Sequence, residues 1–197
     1  LSNVAIQSAI NAYGSVVIAG CSAAGSIEGF IYVAMNSFHQ AAQTFMSQNI
    51  GAGKYDRIRD ILKKCSNHPV VTGAALSALS LLLSEPLLRI YNEDPLVIAA
   101  GGVHLYMVAT LYFIFGIADV LTGAIRGCGS PVAPVVINLL CTCALRLIWV
   151  AAIDTRTVSV SLVYASYPAS WILLLTVLTF CWRRLYRKQI LPNIAGV

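Results

Sequence analysis

Charge is what this sequence has least of. Only 11% of its 197 residues are charged, whereas a soluble domain carries about a quarter, so there is too little charge to cover a surface facing water. Enzymatic signatures are missing as well. The six cysteines, at 21, 65, 128, 141, 143 and 181, include no C-x-x-C pair, and the C-x-C of Cys141 and Cys143 points its thiols to different helix faces. They read as small packing residues. His39, His68 and His104 stand singly, without the H-E-x-x-H spacing that holds zinc. No serine sits in G-x-S-x-G, so no nucleophile elbow is present. The stretch NIGAGKYD has Gln48 and Tyr55 where a phosphate loop requires glycine and a hydroxyl residue beside magnesium, and a long helical pattern precedes it in place of a strand. Neither an enzyme nor a nucleotide-driven machine is indicated. The first residues lack the basic region and small-residue cleavage site of a secretion signal; they read as the end of a helix whose beginning is missing.

What the sequence has instead is apolar length. Hydrophobic residues make up 58% of the chain and the mean hydropathy is +0.76, which predicts an all-α integral membrane protein, a multi-helix transmembrane bundle. A hydrocarbon core about 30 Å thick needs about 20 apolar helical residues. Five runs qualify, at roughly 16–48, 66–84, 96–124, 132–153 and 158–182, and residues 1–13 read as the tail of a sixth. The first run exceeds one bilayer thickness, which predicts tilt, a kink near Gly25 or Gly29, or projection into the cytoplasm.

The few charges are sorted along the chain. Lys54, Arg57, Arg59, Lys63 and Lys64 fall in one connection, Arg126 in another, and Arg183, Arg184, Arg187 and Lys188 in the tail. Basic residues are retained on the cytoplasmic side, so the loops 54–64 and 126–131 and the C-terminus are expected inside. The alternate connections, 2–15, 85–95 and 154–158, hold Glu85, Glu93, Asp94 and Asp154 with only Arg89 and Arg156; they are expected outside. The net charge of +5 follows from this sorting and gives no indication of nucleic acid. The glycines of NIGAGK read as a left-handed helix cap, and the basic KYDRIRDILKK as an amphipathic connection among anionic headgroups.

Polar residues inside the spans are the functional candidates, because charge in hydrocarbon is costly and faces a cavity or a partner. Gly25, Glu28, Tyr32, Asn36, His39 and Gln43 recur at three- and four-residue steps and share one helix face. Glu28 is either a cation-holding carboxylate with Tyr32, Asn36 and Gln43 as cavity contacts, or an interfacial residue. On the run 96–124, Tyr112, Phe115, Asp119, Thr122 and Arg126 lie on one side. Asp119 is a coupling candidate or a structural acid paired with a basic residue, and the rings beside it suit an organic cation. Arg146 reads as a structural intramembrane charge, with Asn138 and Thr142 placed to complete its hydrogen bonding.

The strings QNIGAGKYDR, IRGCGSPVAPVVINLL, ALRLIWV and YPASWILLLTVLTFCWRRLYRK resemble the multidrug and toxic compound extrusion (MATE) family, in family order and over essentially the whole of residues 1–197. The resemblance implies twelve helices in two six-helix lobes related by a pseudo-two-fold axis, of which this chain is the second, from late in helix seven to helix twelve, with the N-terminal lobe absent. It implies a multi-pass antiporter of the cell inner membrane that exports cationic amphipathic compounds by alternating access. No cofactor is implied beyond the coupling ion, Na+ or H+. Several family members place a coupling acid on the tenth helix, where Asp119 falls. Two alternatives stand beside this reading: a flippase of lipid-linked saccharides from the same superfamily, and a membrane assembly subunit that transports nothing.

Overall fold

The computed structural model describes residues 2–153 and 159–195; the connection expected at 154–158, with Asp154 and Arg156, lies outside the described residues. Those residues form helices α1 (Ser2–Asn11), α2 (Ser15–Gly51), α3 (Ile58–Leu82), α4 (Ser84–Arg89), α5 (Pro95–Ala109), α6 (Tyr112–Gly127), α7 (Val132–Asn138), α8 (Leu145–Ala152), α9 (Val160–Tyr164), α10 (Ser166–Leu185) and α11 (Leu191–Ala195). No strand occurs among the described residues. Short π-helical turns join α7 to α8 (Leu139–Ala144) and α10 to α11 (Tyr186–Ile190). The protein is an all-α membrane bundle.

Helix α2 is its axis. Its 37 residues contain no proline and run uninterrupted through Gly25 and Gly29, reaching about 55 Å at 1.5 Å per residue. Gly14, at φ +93°, starts the helix, and Gly53, at φ +69°, ends it. At that end the Ala52 and Lys54 amides donate to the Gln48 and Asn49 carbonyls, closing the left-handed cap that the sequence predicts. The basic segment behind the cap is not a separate amphipathic connection: after one 3-10 turn at Tyr55–Arg57 it becomes the first turns of α3.

The described helices can be set beside the expected spans by length and composition. Three uninterrupted helical segments, Ser15–Gly51, Val132–Ala152 and Val160–Ile194, are long and apolar enough to cross a membrane. A fourth crossing is available from α5 and α6 together, which are bent by 47°. Helix α3 does not meet the same condition. It is long enough, but its start carries Arg59, Lys63 and Lys64 and its interior Asn67 and His68. The single span expected at 96–124 is interrupted between Ala109 and Tyr112, where the Thr110 hydroxyl bonds back to the Tyr106 carbonyl.

Both halves of the bent pair lie along α2, and glycine permits the approach. A Cβ on Gly20 would stand 2.7 Å from the Gly101 amide and the Val97 carbonyl oxygen, and a Cβ on Gly123 would collide with the His39 carbonyl. Small residues at such crossings let membrane helices touch backbone to backbone. Gly123→Ala should therefore cost about 1–3 kcal/mol by overpacking, read as a lowered melting temperature in detergent. Gly102, whose Cβ would meet nothing within 4 Å, should tolerate alanine.

At one end of the bundle, Met46, Ile58, Ile125, Cys128, Leu178, Trp182 and Ile190 form one core cluster. The three basic segments are thereby brought to the same end. Ile6, Ile10, Cys21, Val163 and Tyr164 form a second cluster. Between the two, Ile31, Met35, Val108, Tyr112 and Trp171 pack at mid-height. Large apolar side chains remain exposed around the outside, among them Phe30, Val33, Leu82, Ile148 and Phe180, as a surface facing lipid requires.

Candidate functional site

Glycines at 25 and 29 leave one stripe of α2 without side-chain bulk, and a cavity of about 350 Å³ opens against it. Glu28 and Tyr32 line it from α2, Tyr112 and Phe115 from α6, Arg146 from α8, and Tyr167 and Trp171 from α10. The rings form a continuous wall. Trp171 stands 5.3 Å from Tyr112 and 5.6 Å from Phe115 between centroids, and Tyr112 stands 5.5 Å from Phe115. Tyr32 extends the wall at 6.1 Å from Phe115. These are edge-on and tilted arrangements of the kind aromatic pairs prefer. A second cavity of about 480 Å³ adjoins the first through Asn3, Phe115, Arg146 and Trp171, and Thr122 and Arg126 lie on its far side.

Glu28 meets this cavity with a partner behind it. Its Oε1 lies 2.7 Å from His104 Nε2. The approach is close but poorly aligned, and neither atom has a hydrogen bond; the contact is an ion pair when His104 is protonated. On the other side of the ring, His104 Nδ1 is 3.4 Å from the Cys21 thiol, and Tyr164 packs edge-on at 4.4 Å. His104 is buried, so the solvent-facing member of the group is Glu28. A proton on the imidazole has Glu28 as its acidic neighbour at the cavity.

Asp119 stands apart from both cavities. The crossing of α2 and α6 puts it against His39, whose Nδ1 lies 3.0 Å from Asp119 Oδ1 and 2.9 Å from the Asp119 carbonyl oxygen. A carbonyl can only accept and an ionised carboxylate can only accept, so Nδ1 carries the proton. The second carboxylate oxygen, Oδ2, is buried without a hydrogen-bond partner. The basic partner of Asp119 is this histidine, from the crossing helix α2.

Arg146 follows directly on the π turn at Leu139–Ala144. It donates from Nε to the Ser170 hydroxyl at 3.1 Å and from Nη1 to Asn3 Oδ1 at 3.3 Å. Its guanidinium carbon lies 4.2 Å above the centre of the Tyr167 ring. Asn138 and Thr142, the partners expected from spacing, bond to each other at 2.9 Å instead.

Among the candidates read from the sequence, the structure brings together Glu28, Tyr32, Tyr112, Phe115 and Arg146, with Thr122 across the adjoining space. Asn36 and Gln43 are not among the residues lining either cavity. Asn36 accepts a hydrogen bond from Gln40 at 2.8 Å, and Gln43 is exposed, with its backbone carbonyl against Gly127. Sequence reasoning missed His104 as a partner of Glu28, His39 as a partner of Asp119, and the contributions of Asn3, Tyr167, Ser170 and Trp171. One signal was available for His104, a lone titratable residue on the otherwise apolar helix α5, and such a group needs a partner.

Known proteins share this chain's pattern. The family described as MatE matches residues 1–151. A probable multidrug resistance protein of Bacillus subtilis, YoeA, is 24% identical over 191 residues, covering 87% of this chain and 40% of that protein. A second from the same organism, YpnP, is 26% identical over 143 residues, covering 73% of this chain and 32% of that protein. A probable multidrug resistance protein NorM of Chromobacterium violaceum is 30% identical over 130 residues, covering 64% and 27%. The chain thus spans 40% or less of the length of these relatives.

Proposed function

Since the chain belongs to the multidrug and toxic compound extrusion family, we propose that it is the second six-helix lobe of an efflux antiporter, with the first lobe supplied by the rest of the same protein. The transporter exports cationic amphipathic compounds in exchange for Na+ or H+, with the basic end of this bundle in the cytoplasm. One observation carries the reading. A single cavity sets a carboxylate, Glu28, into an aromatic wall of Tyr32, Tyr112, Phe115 and Trp171.

That pairing suits a coupled exporter. A ring-bearing cation gains from stacking and from the ring quadrupoles, and it competes with a proton or sodium ion for the same carboxylate. Glu28 is placed for this competition. Asp119, in contact with His39 at the α2–α6 crossing, is proposed as a second acid whose charge state governs how α2 meets α6. A flippase for lipid-linked pyrophosphates calls for a cluster of basic side chains, and among the described residues Arg146 is the only basic residue lining the first cavity.

The test is uptake of a fluorescent organic cation by inverted vesicles containing the full-length protein, under separately imposed sodium and proton gradients. Accumulation driven by one gradient is expected and identifies the coupling ion. No accumulation under either would defeat the proposal and leave the flippase or the non-transporting subunit.

A further inference from the structure

Nine of the thirteen basic residues lie exposed in two segments, five at 54–64 and four at 183–188. The fold joins these segments. Ile58 from the first and Leu185 and Ile190 from the second are buried in one core cluster, and Tyr55, Tyr186 and Ile194 pack against it. The cations are left on the outside of this shared apolar base. Asp56 and Asp60 are the only acids in either segment, and they pair with none of the nine. The three ion pairs among the described residues, Glu28 with His104, Asp119 with His39 and Glu85 with Arg89, lie elsewhere.

Crowding is greatest on the second segment, which has no acid at all. Arg183 and Arg187 are four residues apart, as are Arg184 and Lys188, within the uninterrupted helical stretch Val160–Ile194, and like charges at that spacing destabilise a helix. Cations are favoured at a helix C-terminus, but no helix ends here, because the π turn Tyr186–Ile190 carries the chain on into α11. The stripe therefore has neither a counter-charge nor a helix end to offset its repulsion. From Arg183 a furrow of about 240 Å³ runs back along α10, lined by Leu175, Thr176, Thr179 and Phe180. The Thr176 and Thr179 hydroxyls donate to the Ile172 and Leu175 carbonyls, so both protons are already used, and Phe180 is exposed. Trp182 and Tyr186, with ring centroids 6.0 Å apart, stand among the four cations in sequence, as aromatic residues do at a membrane–water interface.

We propose that this surface is a binding site for an anionic phospholipid, with the phosphate held by Arg183 and Arg187 and an acyl chain laid along the furrow. Charge decides the headgroup. An anionic lipid supplies the counter-charge that the stripe lacks, whereas a zwitterionic lipid brings an ammonium group of its own among the cations. The furrow decides between a lipid and a soluble phosphate, since only a lipid has a chain to place against Leu175 and Phe180. The neighbouring cations at 54–64 add to the positive field without touching the furrow. The site shares no lining residue with either of the two cavities described above, so it stands independently of the substrate reading.

Two lipids with the same chains and different headgroup charge isolate the site: dioleoylphosphatidylglycerol and dioleoylphosphatidylcholine. Their binding to the purified full-length protein in detergent is measured by native mass spectrometry, with a melting curve for each variant. Wild type is expected to prefer the anionic lipid. The double variant Arg183→Gln with Arg187→Gln should weaken that lipid by about tenfold or more, from roughly fivefold per cation near an anionic group, and change the zwitterionic lipid less than about twofold. Lys63→Gln with Lys64→Gln removes the same charge away from the furrow, so its loss should stay below about threefold, the size of a screened, longer-range attraction. Thr176→Trp fills the furrow and keeps every cation; it should weaken the anionic lipid by about threefold or more through lost chain contact, and it carries the test if the arginine variant fails to fold. Glycerol phosphate, the headgroup without chains, should not displace the lipid at equal concentration. Equal binding of the two lipids, equal losses in the two double variants, undiminished binding by Thr176→Trp, or displacement by glycerol phosphate would each overturn the site.

Discussion

Gradient-driven uptake of an organic cation should fall by at least about tenfold when Glu28 is replaced by Gln in the full-length transporter. The substitution keeps size and shape, so the wall of Tyr32, Tyr112 and Phe115 remains and the fold should melt within a few degrees of wild type. What is removed is the charge. A charged hydrogen bond or ion contact in a sheltered site contributes about 1.5–3 kcal/mol, which is roughly 10- to 100-fold in affinity. The same change removes the group for which substrate and coupling ion compete, so exchange as well as binding is lost. Unchanged uptake by Glu28→Gln, with normal expression and melting, would make Glu28 a residue of the boundary only.

His39→Ala should destabilise the transporter by about 3–5 kcal/mol, the cost of leaving one partner of a buried pair behind. Asp119 Oδ2 already lacks a hydrogen bond, and the truncation takes the partner of Oδ1 as well. The carboxylate is then left without a protein partner at the crossing of α2 and α6. Neutralising it should restore much of the loss, so the double variant His39→Ala with Asp119→Asn is expected to be more stable than His39→Ala alone. Melting temperatures of the four proteins form the cycle. Additive losses would show that the two residues act independently, against the pairing seen between them.

Much of the architecture could be read from composition and charge, because membrane burial leaves a strong apolar signal and basic residues mark alternate connections. The long first helix, its glycine cap and the shared helix face of Glu28 and Tyr32 follow from local spacing alone. The failures came where local signals were overridden. Basic and apolar halves of one helix looked like a loop and a span, yet Tyr55 to Leu82 is almost continuous helix. The break between Ala109 and Tyr112 falls inside an unbroken apolar run, so no periodicity records it.

The candidate site was half legible for the same reason. Glu28 and Tyr32 share a helix face by spacing, and so do Tyr112 and Phe115; the structure adds that the two faces meet. The pairings Glu28 with His104 and His39 with Asp119 join residues 76 or more positions apart, and only tertiary packing brings them together. Arg146 was read as structural because a fixed positive charge is poorly suited to reversible proton coupling. Its position at the junction of two cavities is a property of the folded bundle.

The central claim is that Glu28 is where substrate and coupling ion compete. Its most direct test is the affinity of purified full-length transporter for rhodamine 123 as a function of pH, and separately of sodium concentration, in wild type and Glu28→Gln. The account predicts that wild-type affinity falls as the coupling ion rises, and that the glutamine variant binds weakly and with little dependence on that ion. The same ion dependence in both proteins would contradict it and move the competition to another acid.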